Sequence, residues 1–144
     1  MQVRNPAYRQ VLEQAFAGAG FVRDNGMRLV DCGPGWCETE VLITPHHLQH
    51  TGVPHAGVIA TLADHSAGAA AMSLADADQV VLTAEFKLSL FRAQPTAWLK
   101  CRAEIIKAGA RLSFAESSVY AAGADQPILV AKASVTLALV AADA

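Results

Sequence analysis

Residues 49–71 read QHTGVPHAGVIATLADHSAGAAA. A loop rich in glycine, proline and histidine runs into a stretch dominated by alanine with no internal proline, and this composition predicts a helix from Ala56 to about Ser73. On a helical wheel Val58, Leu62, Ala69 and Met72 share a bulkier stripe, while Gly57, Thr61, Asp64, Gly68 and Ala71 share a face of small residues. Small side chains let another backbone approach closely, so Asp64 is expected to point into a tight contact and not into bulk water. A carboxylate so placed loses solvation unless it is solvated locally, paired or employed.

The flanks of this helix read mostly as strands. MRLVDC (27–32) and WCETEVLI (36–43) form a hairpin around Gly33-Pro34-Gly35. After the loop LADADQ come four longer segments, VVLTAEFKLSLF (80–91), WLKCRAEII (98–106), LSFAESSVYA (112–121) and ILVAKASVTLALV (128–140). In the first of these, alternation sets Ala84, Phe86, Leu88 and Leu90 on one side and Thr83, Glu85, Lys87 and Ser89 on the other. Turn-like KAGAR and AGADQP separate the later segments, which predicts an antiparallel meander. Near the start, Asn5 as N-cap and Pro6 at the first helical position predict a short amphipathic helix over 6–17, ended by Gly18 and Gly20. The fold class is therefore α+β: one domain over 1–144, a curved antiparallel sheet of five to six strands wrapped round one central helix.

Composition limits the functions. A net charge of -2 gives no broad basic field to collect nucleic acid. Charged residues make up 17% and hydrophobic residues 53%, which leaves apolar surface for an oligomer to bury. Asp64, Asp76 and Lys87 interrupt every apolar run before the ~20 residues of a membrane span, and the amino-terminal residues have no secretory core, so a cytoplasmic location is expected. Cys32, Cys37 and Cys101 read as buried reduced thiols. Five histidines fall between His46 and His65, yet HHLQH has no cysteine partners and H-E-x-x-H is absent, so no metal is expected.

At QHTGVPHAGVIATLAD the chain resembles the hotdog-fold acyl-coenzyme A thioesterases of the phenylacetate-pathway (PaaI) type. Their signature is N-x-x-G-x-x-H-G-G with an aspartate seven residues further on. Gln49 stands at the Asn, Gly52 at the first Gly, His55 at the His, Ala56 and Gly57 at the Gly pair and Asp64 at the Asp, with no gap. LTAEFKLSLFRAQP, Lys107–Leu112 and ILVAKASVTLAL are similar to later segments of the same family. Two departures, Gln49 for Asn and Ala56 for Gly, keep the amide and the backbone N–H and suggest a subfamily with a shifted substrate.

The resemblance implies hydrolysis of an acyl- or aryl-coenzyme A to the free acid and coenzyme A, with no cofactor beyond the coenzyme A of the substrate. Asp64 would act as general base or as nucleophile, Gln49 would hold the thioester or the water, and Thr83 would hold the water. Unpaired amides at the start of the helix, those of Ala56 and Gly57, suit the developing oxyanion. His55 is expected to pack the loop or hold a backbone carbonyl, with Gly52 completing the loop. Lys87, Arg92, Lys107, Arg111 and Lys132 are candidates for coenzyme A phosphates. The family's site is composite, so a homodimer or homotetramer with its active site at the subunit interface is implied. A non-catalytic acyl-coenzyme A binding protein is the alternative; a related dehydratase would carry a differently placed His and Asp.

Overall fold

The computed structural model describes residues 1–143. Asn5 Oδ1 accepts from the Ala7 N–H at 3.0 Å and the Asn5 carbonyl from the Tyr8 N–H at 3.1 Å, making a turn over Pro6 and Ala7. Helix α1 (Tyr8–Gly18) consequently starts two residues later than the Asn-Pro pair suggests. Its break falls on Ala19, in extended conformation, and Gly20 opens a one-turn helix α2 (Gly20–Asp24) instead of closing α1. Leu12, Phe16 and Val22 anchor the pair in the core.

Strands β1 (Met27–Gly33) and β2 (Trp36–Leu42) form the expected hairpin. Pro34 presets the first turn residue, and Gly35 takes φ +80°, a conformation that a side chain would strain. Helix α3 (Ala56–Met72) follows, then β3 (Gln79–Leu90), β4 (Trp98–Ala108), β5 (Leu112–Ala122) and β6 (Ile128–Ala141). All six strands form one antiparallel sheet in the order β1-β2-β4-β5-β6-β3, with α3 packed across one face.

That order corrects the meander for one strand. β3 pairs with β6 and not with β4. The chain crosses the ends of β6 and β5 through residues 91–97, where the Phe91 N–H donates to the Val130 carbonyl at 2.8 Å and Thr96 Oγ1 to the Ala122 carbonyl at 3.1 Å. Seven extended residues reach about 23 Å, against the roughly 14 Å needed to cross three strand spacings, so the connection is long enough. β3 is thereby left as an edge.

The face of α3 set against the sheet coincides only in part with the bulkier stripe, of which Leu62 and Ala69 are buried. Ile59, Leu62, Ala63, Ser66, Ala67 and Ala70 are buried, whereas Val58 and Met72 are only half-buried. Alanines at the contact let the helix lie close to the strands. Of the small-residue face, Ala71 is buried, while Thr61, Asp64 and Gly68 are half-buried and Gly57 is exposed.

Candidate active site

A β-bulge decides where Thr83 points. Phe86 is opposite Val135, Glu85 opposite Thr136 and Thr83 opposite Leu137, so Ala84 is an extra residue without a partner on β6. The extra residue reverses the alternation, and Thr83 shares the helix-facing side with Phe86 instead of the outer side with Glu85 and Lys87. Its Oγ1 donates to Asp64 Oδ1 at 2.7 Å. Since that proton is committed to the carboxylate, Thr83 orients Asp64. Among the described residues Oδ2 receives no hydrogen bond and stays open to a substrate or water. Asp64 and Thr83 border a cavity of about 320 Å³ walled by Leu12, Phe16, His65, Met72 and Val81.

The other half of the motif is held by its loop. The buried His47 ring accepts from the Thr44 N–H at 3.0 Å through Nδ1 and donates from Nε2 to the Asn25 carbonyl at 2.8 Å, while the His47 carbonyl accepts from the His55 N–H at 2.9 Å. Gly52, at φ +83°, closes the turn in which its N–H donates to the Gln49 carbonyl at 3.0 Å. His55 is the N-cap of α3: its Nδ1 accepts from the Gly57 N–H at 2.8 Å. The Gly57 amide is thus engaged within the chain. The Ala56 N–H, first of the helix, meets no acceptor among the described residues. Ala56 and Gln49 line a second cavity of about 310 Å³ together with Pro54, Ile59, Leu90, Phe91 and Arg92.

Of the five basic residues considered for phosphate contact, only Arg92 borders either cavity. Lys87 lies on the outer side of β3, and Lys132, also outward, pairs with Glu116 at 3.4 Å. Lys107 and Arg111 flank the β4–β5 hairpin, which closes near Leu74, at the C-terminal end of α3. The largest concavity, about 560 Å³, is on that outer face, and each ionised side chain lining it has an opposite charge within 4.0 Å. It offers a substrate no free charge. No group of three metal-ligating side chains occurs among the described residues, and none of their helices is long and apolar enough to cross a membrane.

Two features of the site lay outside the reach of the sequence. His47, which pins the loop, looked like any of five clustered histidines, and only its burial distinguishes it. His65 packs edge-on against Phe16 with ring centroids 4.6 Å apart, and burial lowers its pKa, opposed by the neighbouring charge of Asp64.

Residues 51–128, which contain most of the motif and the strands that frame it, match the family model described as the thioesterase superfamily. The chain belongs to the thioesterase superfamily. Solved structures agree with this placement. A thioesterase family protein from Silicibacter pomeroyi is 29% identical, with 93% of this chain and 98% of that one covered, at a TM-score of 0.90. The conserved protein PA5202 from Pseudomonas aeruginosa is also 29% identical, over 83% of this chain and 93% of that one, at a TM-score of 0.76. The PaaI protein of the Escherichia coli phenylacetic acid degradation operon shares 14% identity and covers 92% of this chain and 93% of its own, at a TM-score of 0.83, a likeness of fold. No curated protein matches the chain. The six-stranded antiparallel sheet around α3 is the hotdog fold of these thioesterases. Thioester hydrolysis is the family's chemistry.

Proposed function

We propose that this thioesterase superfamily protein hydrolyses an acyl- or aryl-coenzyme A at a site shared by two copies of the chain. One observation carries the reading: the open oxygen of Asp64 and the free N–H of Ala56 belong to different cavities of one chain. Eight residues along a helix separate their Cα atoms by about 12 Å. A single thioester carbonyl has to meet the oxyanion donor and the nucleophile or base within about 3 Å of each. The two groups therefore serve one substrate only when Asp64 comes from one protomer and Ala56 from the other.

The free edge of β3 supplies the seam. Leu82, Phe86, Leu90 and Phe91 are each at least 40% exposed on or beside a strand with no neighbour on that side. Antiparallel pairing of β3 with its copy about a twofold axis at Lys87, with Ala84 again the extra residue, sets Thr83 opposite the partner's Leu90. Leu90 lines the Gln49 and Ala56 cavity, so this register delivers Asp64 to the partner's oxyanion donor.

In the assembled site the thioester oxygen lies against the Ala56 N–H and the Gln49 side-chain amide of one protomer. Asp64 of the other, oriented by Thr83, deprotonates a water that adds to the carbonyl carbon, or adds itself to give an anhydride that water then opens. Collapse of the tetrahedral adduct expels coenzyme A thiolate, which takes up the proton. Arg92, at the rim of the Ala56 cavity, is the candidate for a phosphate of coenzyme A. A panel of acyl-coenzyme A substrates with a thiol-trapping readout tests the activity, and Asp64→Asn is expected to abolish release. Binding of acyl-coenzyme A without thiol release would instead establish a binding protein.

The shared site has its own test. Ala56→Pro removes the N–H at a helical position that tolerates proline, and His55, at φ -62° and ψ 141°, already has the conformation a following proline requires. Asp64→Asn and Ala56→Pro chains should each be inactive alone and regain activity when mixed and reassembled, because one of the two sites in a mixed dimer is intact. No recovery in mixed dimers would place both groups in one chain's site.

A further inference from the structure

Beneath α3, inside an otherwise apolar core, lie four polar side chains that the proposed chemistry does not use: Thr39 on β2, Ser66 on α3, Cys101 on β4 and Ser117 on β5, none more than 3% exposed. Ser66 Oγ donates to the Leu62 carbonyl at 2.5 Å, so the 2.6 Å contact between Thr39 Oγ1 and Ser66 Oγ has Thr39 as its donor. Ser117 Oγ donates to the Ala63 carbonyl at 2.7 Å. Burial pushes the pKa of the Cys101 thiol up to about 11, opposed by the neighbouring Ser66 and Ser117 hydroxyls. No substrate reaches these groups, and the thiol is not a nucleophile at that pKa.

Stability alone does not explain them, because hydroxyls in an apolar core lose their hydration and well-packed apolar replacements are often as stable. Their placement does. Beyond Ile59 and Leu62 the sheet-facing stripe of α3 is small, Ala63, Ser66, Ala67 and Ala70, and so small a surface interlocks weakly against rotation about the helix axis. The two groups of α3 held from the sheet, the Ser66 hydroxyl by Thr39 and the Ala63 carbonyl by Ser117, flank Asp64, and Ala63 is joined to it by a peptide bond. At a side-chain radius of about 6 Å, a rotation of roughly 10° moves the carboxylate by about 1 Å. That distance separates a 2.7 Å bond to Thr83 from none.

We propose that Thr39 and Ser117 are positioning residues for Asp64, whose hydroxyls fix the rotation of α3 so that the carboxylate meets Thr83 and the cleft. The inference rests on the reading of Asp64 as the reacting carboxylate.

The experiment uses the full chain and three variants: Thr39→Val, which keeps shape and removes the donor, Thr39→Ser, which keeps the donor, and Ser117→Ala. Thr39→Val and Ser117→Ala should lower kcat by about tenfold to a hundredfold with KM for the best acyl-coenzyme A changed by less than about twofold, and Thr39→Ser should restore kcat. In a Thr83→Val background Thr39→Val should cost little more, because the alignment it protects is already lost. An unchanged kcat in both variants, or a loss that Thr39→Ser does not relieve, overturns the proposal. If the natural chain releases no thiol from any acyl-coenzyme A, it is the functional reading that has failed, and the crystal structure of Thr39→Val then decides the clamp. A rotated α3 with the Thr83–Asp64 bond broken supports it, and the bond retained at its present length overturns it.

Discussion

Thr83 Oγ1 donates to Asp64 Oδ1 at 2.7 Å across the gap between an edge strand and the central helix, from positions 19 residues apart in the chain. The bond leaves one carboxylate oxygen free and aims it. A hydrogen bond to a charged group is worth about 1.5–3 kcal/mol, so Thr83→Val should lower kcat/KM by roughly tenfold to a hundredfold. Thr83→Ser, which keeps the donor, should stay within about threefold of the natural chain. Steady-state kinetics on the two variants checks the pair.

Ala84 is an extra residue on β3, between Thr83 and Glu85. Deleting Ala84 should leave a regular ladder in which Thr83, now adjacent to the outward Glu85 and still opposite Leu137, keeps to the helix-facing side. The expected outcome is a folded chain with native-like circular dichroism and activity well above that of Thr83→Val. Activity as low as that of Thr83→Val would mean that the local twist of the bulge, and not only the side on which Thr83 lies, aims its hydroxyl.

The seam predicts a charge-sensitive assembly. Phe86 is 40% exposed beside the proposed twofold axis, so Phe86→Asp would set two carboxylates diagonally across it in an apolar seam. Analytical ultracentrifugation should show monomers, and thiol release should vanish although Asp64, Thr83 and Ala56 are untouched. A variant that stays oligomeric and active would exclude β3 as the seam.

His55 caps α3 through Nδ1. His55→Ala should cost about 1 kcal/mol of stability, a few degrees in Tm, while the Ala56 N–H stays available and turnover is largely kept. Thermal denaturation alongside the activity assay separates this capping role from direct participation in catalysis, for which turnover would collapse while Tm held.

His65 makes stability depend on pH. Burial lowers its pKa below the usual 6.5, so between the folded and unfolded values the unfolded chain binds more protons and stability rises with pH. The contribution is complete above about 6.5 and is lost as pH falls through the folded value. His65→Phe, which keeps a ring against Phe16, should therefore flatten the decline of Tm as pH falls below about 6.5. An equally steep decline in the variant would assign that acid sensitivity to other groups.

Most of the architecture was legible in local patterns. Alanine without proline marked α3, Gly-Pro-Gly marked the β1–β2 turn, and period-two alternation marked β4, β5 and β6. These signals are read within a few residues of themselves. The α1 boundary was less legible, because Asn5 can cap a helix or close a turn with nearly the same bonds, and α2 is a single turn whose buried Val22 gives no periodicity.

What the sequence by itself determined is the identity and spacing of the motif residues: Gln49, Ala56 and Asp64 stand in the order of the motif it resembles, and helical rise fixes the distance between the last two. What only the tertiary structure decided is direction. Pairing of β3 with β6 made Ala84 a bulge and brought Thr83 to Asp64, packing buried Ile59, Leu62 and the alanines of α3 but left Val58 and Met72 half-buried, and a histidine cap engaged Gly57 but left Ala56 free. Each of those outcomes depends on which distant strand or ring is adjacent, and adjacency is set by the global balance of buried surface and satisfied backbone, which no window of sequence contains.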